Sequence, residues 1–270
     1  MKGRVLIIAG SDAGGGAGIQ ADLKTVTALR GYGATAITAL TAQNTLGVFG
    51  VVPVDPAFIV KQIEVVLEDI GADAIKTGML HSAPVIEAVA GAVARNGAGI
   101  PLVVDPVMVT TTGASLLEEE AVVALRELLL PRASVLTPNL PEAEKLCGHA
   151  IKSADEMRAA AQELLSLGPQ AVLLKGGHME GDELLDVLAT AEGVESFASR
   201  RIHTQHTHGT GCTLASAIAT GLAQGLPLRE AVVRARGYLQ KAIAGAPGFG
   251  QGHGPIDHGH TVRPFAVKPC

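Results

Sequence analysis

Short, continuous apolar runs recur along the chain, with longer stretches of helical periodicity between them. Runs rich in Val, Ile and Leu fall at residues 5–9, 35–40, 74–76, 102–104, 134–136 and 171–174. Uninterrupted apolar runs of this length are what strands buried on both faces of a parallel sheet require. Across 58–68 the pattern changes: Ile59, Ile63, Val66 and Leu67 share one stripe, while Lys61, Glu64 and Glu68 lie off it, the spacing of an amphipathic helix. The same period predicts helices over 83–95, 118–130, 153–167 and 228–244. Two alternating segments, 183–188 and 194–199, flank Ala191-Glu192-Gly193 and predict a hairpin at a sheet edge. No Pro/Ser-rich linker, charge run or solenoid repeat divides the pattern, so it predicts one α/β domain over residues 1–270.

Composition narrows the classes of function. With 47% hydrophobic and 17% charged residues the chain can bury a large core. A net charge of -5 without a basic cluster argues against nucleic acid and anionic membrane surfaces. Aromatic content of 3% and no Trp leave little for base stacking. The run 5–9 is too short to span a bilayer or serve as a secretory signal. Cys147, Cys212 and Cys270 are odd in number and far apart, which fits a reducing cytoplasm, no disulfide framework and no zinc spacing.

In open α/β sheets ligands sit beyond the carboxyl ends of the strands, and there the sequence is richest in chemistry. The first run leads into a glycine loop from Gly10 to Asp22, and later runs are followed by Gln43, Met79, Asp105, Asn139 with Glu142, and Lys175. The glycine loop lacks the Gly-Lys-Ser/Thr ending of a P-loop. Its G-x-G-x-x-A has no carboxylate between Asp22 and Asp55 to hold a ribose, which counts against a dinucleotide site. Asp12 and Asp22 read either as substrate contacts or as helix caps. Asp105, Asn139 and Glu142 read as oxygen donors for hydrated Mg²⁺, or as a turn residue and a capped helix start. Lys175 offers a point charge to a phosphate; Gln43 and Met79 suit the edge and face of a heteroaromatic ring, with ordinary packing as the alternative.

The densest signal is Gly209-Thr210-Gly211-Cys212 running into an alanine-rich helical pattern. Unpaired N–H groups and the positive helix end converge there, so the turn should hold an anion. The same field predicts a lowered pKa for Cys212. The alternative is a tight turn burying a small cysteine. His203, His206 and His208 form H-x-x-H-x-H without neighbouring acids at metal spacing, and zinc is disfavoured; His253, His258 and His260 read as loop residues in a Gly-rich tail.

Taken together, G-S-D-x-x-G-G-A-G-I-Q-A-D, T-A-Q-N-T, K-T-G-M-L, V-V-D-P-V-M, T-P-N-x-x-E-A, L-K-G-G-H, T-H-G-T-G-C-T-L and G-H-G-P-x-x-H resemble the hydroxymethylpyrimidine/phosphomethylpyrimidine kinase family of thiamine biosynthesis, within the ribokinase-like superfamily. The resemblance implies a three-layer αβα sandwich with a central, mostly parallel sheet and a short edge hairpin. It implies ATP and Mg²⁺, with the γ-phosphoryl group passing to a hydroxymethylpyrimidine and then to its monophosphate. It gives Gly209, Thr210, Gly211 and Cys212 the anion hole and base, where many ribokinase relatives keep an aspartate. Asp105, Asn139 and Lys175 would contact Mg-ATP, with Asp105 and Glu142 toward the metal; Ala17, Gln43, Met79 and Val107 would form the pyrimidine pocket.

The chain departs from the family pattern at Ala13-Gly14, which lacks a loop hydroxyl, at residues 110–113, and at His206, where asparagine is frequent. The expected partners are a small pyrimidine and ATP, with the assembly left open between monomer and homodimer. Pyridoxal or pyridoxine kinase activity, a non-catalytic sensor of thiamine precursors and an NAD(P) reductase are the rival readings.

Overall fold

The structure is a computed structural model and describes residues 2–108, 119–177 and 181–263; residues 110–113, His178 and Cys270 lie outside the described residues. The apolar run at the start forms β1 (Arg4–Ala9), whose side chains alternate between two cores: Leu6 and Ile8 on one face, Val5, Ile7 and Ala9 on the other. With β2 (Tyr32–Ile37), β5 (Ala74–Thr77), β6 (Leu102–Val104), β7 (Val135–Leu136) and β8 (Ala171–Leu174) it makes parallel pairs, and β9 (Glu183–Thr190) and β10 (Gly193–Arg200) add an antiparallel edge hairpin. The eight-stranded order is β10-β9-β8-β7-β6-β5-β1-β2. Helices α2 (Pro56–Asp69), α3 (Ala83–Asn96), α4 (Glu119–Ala124), α5 (Leu140–Cys147) and α6 (Ala154–Leu165) cover one face; α1 (Gly18–Ala28), α7 (Thr210–Ala223) and α8 (Leu228–Ala244) cover the other. This is the ribokinase-like three-layer sandwich that the resemblance implied, with the two-faced burial that continuous apolar strands demand.

One element differs from the sequence pattern, and a second keeps it with altered winding. The apolar run 35–40 is not one strand. Thr38 is buried, donates its hydroxyl to the Met79 carbonyl at 2.7 Å and its N–H to Ala9 O at 3.1 Å. These bonds end β2 and divert the chain into a separate hairpin, β3 (Ala39–Asn44) with β4 (Gly47–Pro53). The helix predicted over 118–130 is present from Glu119 onward, but its winding changes: α4 is followed without a break by a π-helical turn, Leu125–Leu129, and a 3₁₀ turn, Leu130–Arg132. Pro131 lies in that last turn, where it cannot donate to a continuing helix. Among the described residues no helix is long and apolar enough to cross a membrane.

Candidate active site

The carboxyl ends of β1, β5, β6, β7 and β8 open into a cleft of about 420 Å³ whose lining includes all twelve residues selected from the sequence: Ala17, Gln43, Met79, Asp105, Val107, Asn139, Glu142, Lys175, Gly209, Thr210, Gly211 and Cys212. The turn before α7 is held by Gly209, which caps the helix at φ 81°. A Cβ there would collide with the Gly16 carbonyl oxygen, so the anion turn and the first glycine loop touch backbone to backbone and no side chain fits between them. A Cβ on Gly211 would stand 3.4 Å from Lys175 Nζ and 3.7 Å from Asp105 Oδ2. The first-turn N–H groups of α7, a lysine and a carboxylate therefore face one point.

Around that point the charges are tightly arranged. Lys175 Nζ donates to Asp105 Oδ1 at 3.2 Å. Asn139 and Glu142 form a capping box: Asn139 Oδ1 accepts from Glu142 N at 2.9 Å, and Glu142 Oε2 accepts from Asn139 N at 2.8 Å. Asn139 therefore does what the capping reading requires, with its amide oxygen engaged and its NH₂ available to the cleft. Burial pushes Glu142 up to about 7, with Lys175 pulling against it and Asp105 adding to it. Burial also works against the Lys175 ammonium, yet Asp105 and Glu142 outweigh it and keep its pKa above the ordinary lysine value. A buried carboxyl whose ionisation a neighbouring carboxylate opposes makes with it an all-oxygen donor set that a small divalent cation would relieve. Asp105 and Glu142 fit Mg²⁺ in that respect.

Cys212 corrects the sequence expectation. Its thiol is not lowered: burial pushes it up to about 12, Lys76 draws it down, and Asp22 and Asp105 push it further up. The helix end is present as predicted, but desolvation inside the cleft wall exceeds what one first-turn field supplies.

A second, apolar end of the cleft is lined by Leu184, Ile202, Leu239 and Ile243, with Arg201, Arg236 and Gln240 among them. Arg236 pairs with Asp186 at 2.7 Å. No motif pointed here, because these residues come from β9, the segment after β10 and α8 and meet only in the folded chain.

The phosphomethylpyrimidine kinase family profile matches residues 12–257. The chain belongs to the phosphomethylpyrimidine kinase family. The thiamine biosynthesis bifunctional protein of Geobacter sulfurreducens is 52% identical over 257 residues, 95% of this chain and 52% of that protein, so the chain spans about half of that relative's length. The hydroxymethylpyrimidine/phosphomethylpyrimidine kinase of Bacillus subtilis is 46% identical over 256 residues, 94% of each. Among solved structures, a Bacillus subtilis pyridoxal kinase in complex with ADP superposes with a TM-score of 0.88 at 38% identity, covering 96% of this chain and 98% of that one. A phosphomethylpyrimidine kinase from Clostridium difficile superposes with a TM-score of 0.80 at 43% identity, covering 90% and 100%.

As a member of the phosphomethylpyrimidine kinase family the chain holds three features that sequence reasoning placed wrongly or passed over. Asp12 does not cap α1. Its carboxylate accepts from Gly14 N at 2.8 Å, Gly16 N at 3.0 Å and Ala17 N at 2.8 Å, and pairs with His208 Nε2 at 2.9 Å. Burial opposes its ionisation, but the His208 and Ala17 bonds hold its pKa below the usual carboxylate range. Asp12 is thus the post around which the glycine loop folds, and His208, also 3.4 Å from Gln43 Nε2, ties that loop to the ring end of the cleft. His203 turns elsewhere, to Asp182 at 3.0 Å. Asp22 does not cap α1 either.

Asp22 and Lys76 form a fully buried ion pair at 2.9 Å, and Ser216 Oγ donates to Asp22 at 2.7 Å from one turn beyond Cys212 on α7. The signal was visible: a lysine inside the apolar strand β5. His258 is likewise no loop residue; it is buried, 3.3 Å from both Thr25 Oγ1 and Tyr238 Oη, and burial pushes it down to about 4.

Proposed function

We propose that the chain transfers the γ-phosphoryl group of ATP to the hydroxymethyl oxygen of 4-amino-5-hydroxymethyl-2-methylpyrimidine, and then transfers a second one to the resulting monophosphate. The observation that carries this reading is the convergence of the α7 turn, Lys175 and Asp105 on one point between an apolar arm and a ring-sized end. Phosphoryl transfer passes through a loose transition state with charge on the equatorial oxygens, so positioning and charge stabilisation dominate. The N–H groups of Gly211 and Cys212 and the Lys175 ammonium would meet those oxygens. Ala17, Gln43, Met79 and Val107 would hold the pyrimidine with its hydroxymethyl group toward Cys212, whose thiolate form would accept the hydroxyl proton and become the thiol. Asp105 and Glu142 would hold a hydrated Mg²⁺, which supplies charge neutralisation to the phosphates when bound.

Coupled assays with the pyrimidine, its monophosphate and pyridoxal test the substrate. The expected order in kcat/KM places both pyrimidines above pyridoxal, because Gln43 offers a donor and an acceptor to a ring edge that carries an amine and a ring nitrogen. A pyridoxal preference would transfer the reading to the activity named for the Bacillus subtilis structure.

A homodimer belongs to the same reading. The β3–β4 hairpin stands apart from the main sheet, and its outer face exposes Leu40, Leu46, Phe49 and Val52, Phe49 by 70%. A two-stranded sheet is marginal alone, and a contiguous apolar patch of this kind marks an interface. Sedimentation should show a dimer that Phe49→Asp converts to monomer; a monomeric parent protein at assay concentrations rejects the assembly.

A further inference from the structure

At the far end of α5, about 12 Å along the helix from the capping box at its start, a second group of reactive side chains comes together. α5 ends at Cys147. Gly148 follows in the left-handed conformation, φ 82°, and its N–H closes the helix on Glu144 O at 2.8 Å. That reversal brings His149 back beside Cys147, and Ile151 N, donating to Glu144 Oε1 at 2.8 Å, fixes the loop. The neighbouring helix α6 carries Glu163 to the same place. One ligand atom each from Cys147, His149 and Glu163 lies within 4.8 Å of the others, and among the described residues this is the one cluster of three such groups.

We propose that Cys147, His149 and Glu163 bind a single transition-metal ion of the zinc class. Sulfur, imidazole and carboxylate ligands take bonds of about 2.0–2.3 Å to Zn²⁺, which sets tetrahedral ligand atoms roughly 3.5 Å apart. All three atoms fall inside 4.8 Å of one another, and His149 Nε2 and Glu163 Oε2, hydrogen-bonded at 2.8 Å, need only move apart to admit an ion. The two closer side chains are about half exposed, at 52% and 46%, and have the rotamer freedom to part by the remaining distance.

The imidazole is already oriented for the task. His149 Nδ1 lies 3.3 Å from the Ala150 carbonyl, so Nδ1–H can be held by the backbone while Nε2 exchanges its hydrogen bond to Glu163 for the metal, the outer arrangement that metal-bound histidines use. A thiolate and an imidazole select Zn²⁺, Co²⁺ or Cu²⁺ and reject Mg²⁺, which separates this site from the all-oxygen pair Asp105 and Glu142. Three protein ligands leave one tetrahedral position for water. Bound there, the ion would join the α5 end to α6 across the loop between them.

Co²⁺ is the probe, titrated into the purified protein in the absence of nucleotide. The expected result is one equivalent bound, with a thiolate-to-cobalt charge-transfer band and the visible bands of tetrahedral Co²⁺, both removed by Zn²⁺. Cys147→Ala abolishes the charge-transfer band. His149→Ala and Glu163→Gln each weaken binding by more than the roughly 10- to 100-fold that loss of an outer partner costs. Cys212→Ala retains the band, and turnover at saturating Mg-ATP is unchanged in the Cys147, His149 and Glu163 variants. Should Cys147→Ala fold poorly, the exposed His149→Ala carries the test alone. A missing charge-transfer band, a band that survives Cys147→Ala, or one that disappears with Cys212→Ala overturns the assignment.

Discussion

Replacing Cys212 with serine is expected to lower kcat for pyrimidine phosphorylation by roughly 100- to 10,000-fold, the range that a positioned base contributes, while ATP affinity stays nearly unchanged. In the proposed reading the ATP contacts come from Lys175 and Asp105, which pair with one another and which the substitution leaves in place. The pH profile separates a base from a mere spacer. Burial pushes the Cys212 thiol up to about 12, so at neutral pH the thiolate is a minority species whose population grows about tenfold per pH unit. In the parent enzyme kcat should therefore climb through the alkaline range, limited only by other steps, and the serine variant should lose that slope. A parent profile that is flat between neutrality and mild alkali, or a serine variant with full kcat, rejects the proton-acceptor role and leaves Cys212 as a wall of the anion hole.

The second large effect lies beneath that cysteine. Lys76→Met should destabilise the fold by about 3–5 kcal/mol, the usual result of leaving one member of a buried ion pair without its partner. Among the described residues Asp22 would then keep Ser216 alone as a side-chain donor, inside a site where Lys76 and Asp22 are both fully buried. Urea unfolding measures this, and Asp22→Asn combined with Lys76→Met should recover most of the loss, since replacing both charges removes the orphan.

The recovered double variant then tests what the pair does for the site. Lys76 is the charge that draws the Cys212 thiol down, and Asp22 pushes it up. Alkylation of Cys212 as a function of pH reads the balance directly. If the Lys76 contribution dominates, the folded double variant alkylates more slowly at a given pH and turns over more slowly, with KM for ATP unchanged. Equal alkylation rates in parent and double variant would reduce the pair to a structural element.

Much of this protein was legible before folding. Continuous apolar runs at 5–9, 102–104 and 171–174 could only be strands covered on both faces, and β1, β6 and β8 are that. The parallel sheet then forces loop chemistry to gather at one end, which is how residues such as Gln43, Met79, Asp105 and Lys175 could be read from the strand ends; the family resemblance added Ala17 and Val107, and all of them line one cleft. Local chemistry was legible in part: Asn139 read as a helix cap, and it is one, with Glu142 completing a capping box that the structure adds.

Only the tertiary structure decided the quantities that depend on what lies across the chain. Thr38 breaks an apolar run because the Met79 carbonyl is within reach. Asp12, read as either a substrate contact or a cap, gathers three N–H groups of its own loop and a histidine 196 residues away, so it organises the loop and does not cap α1. Cys212 is the clearest case. The glycine turn and the helix start are written in its neighbours and predict a positive field, but its pKa is set by desolvation and by Lys76, Asp22 and Asp105, three charges from three other elements. Periodicity reports which face a residue occupies. The dielectric and the charges on that face exist only after the layers close.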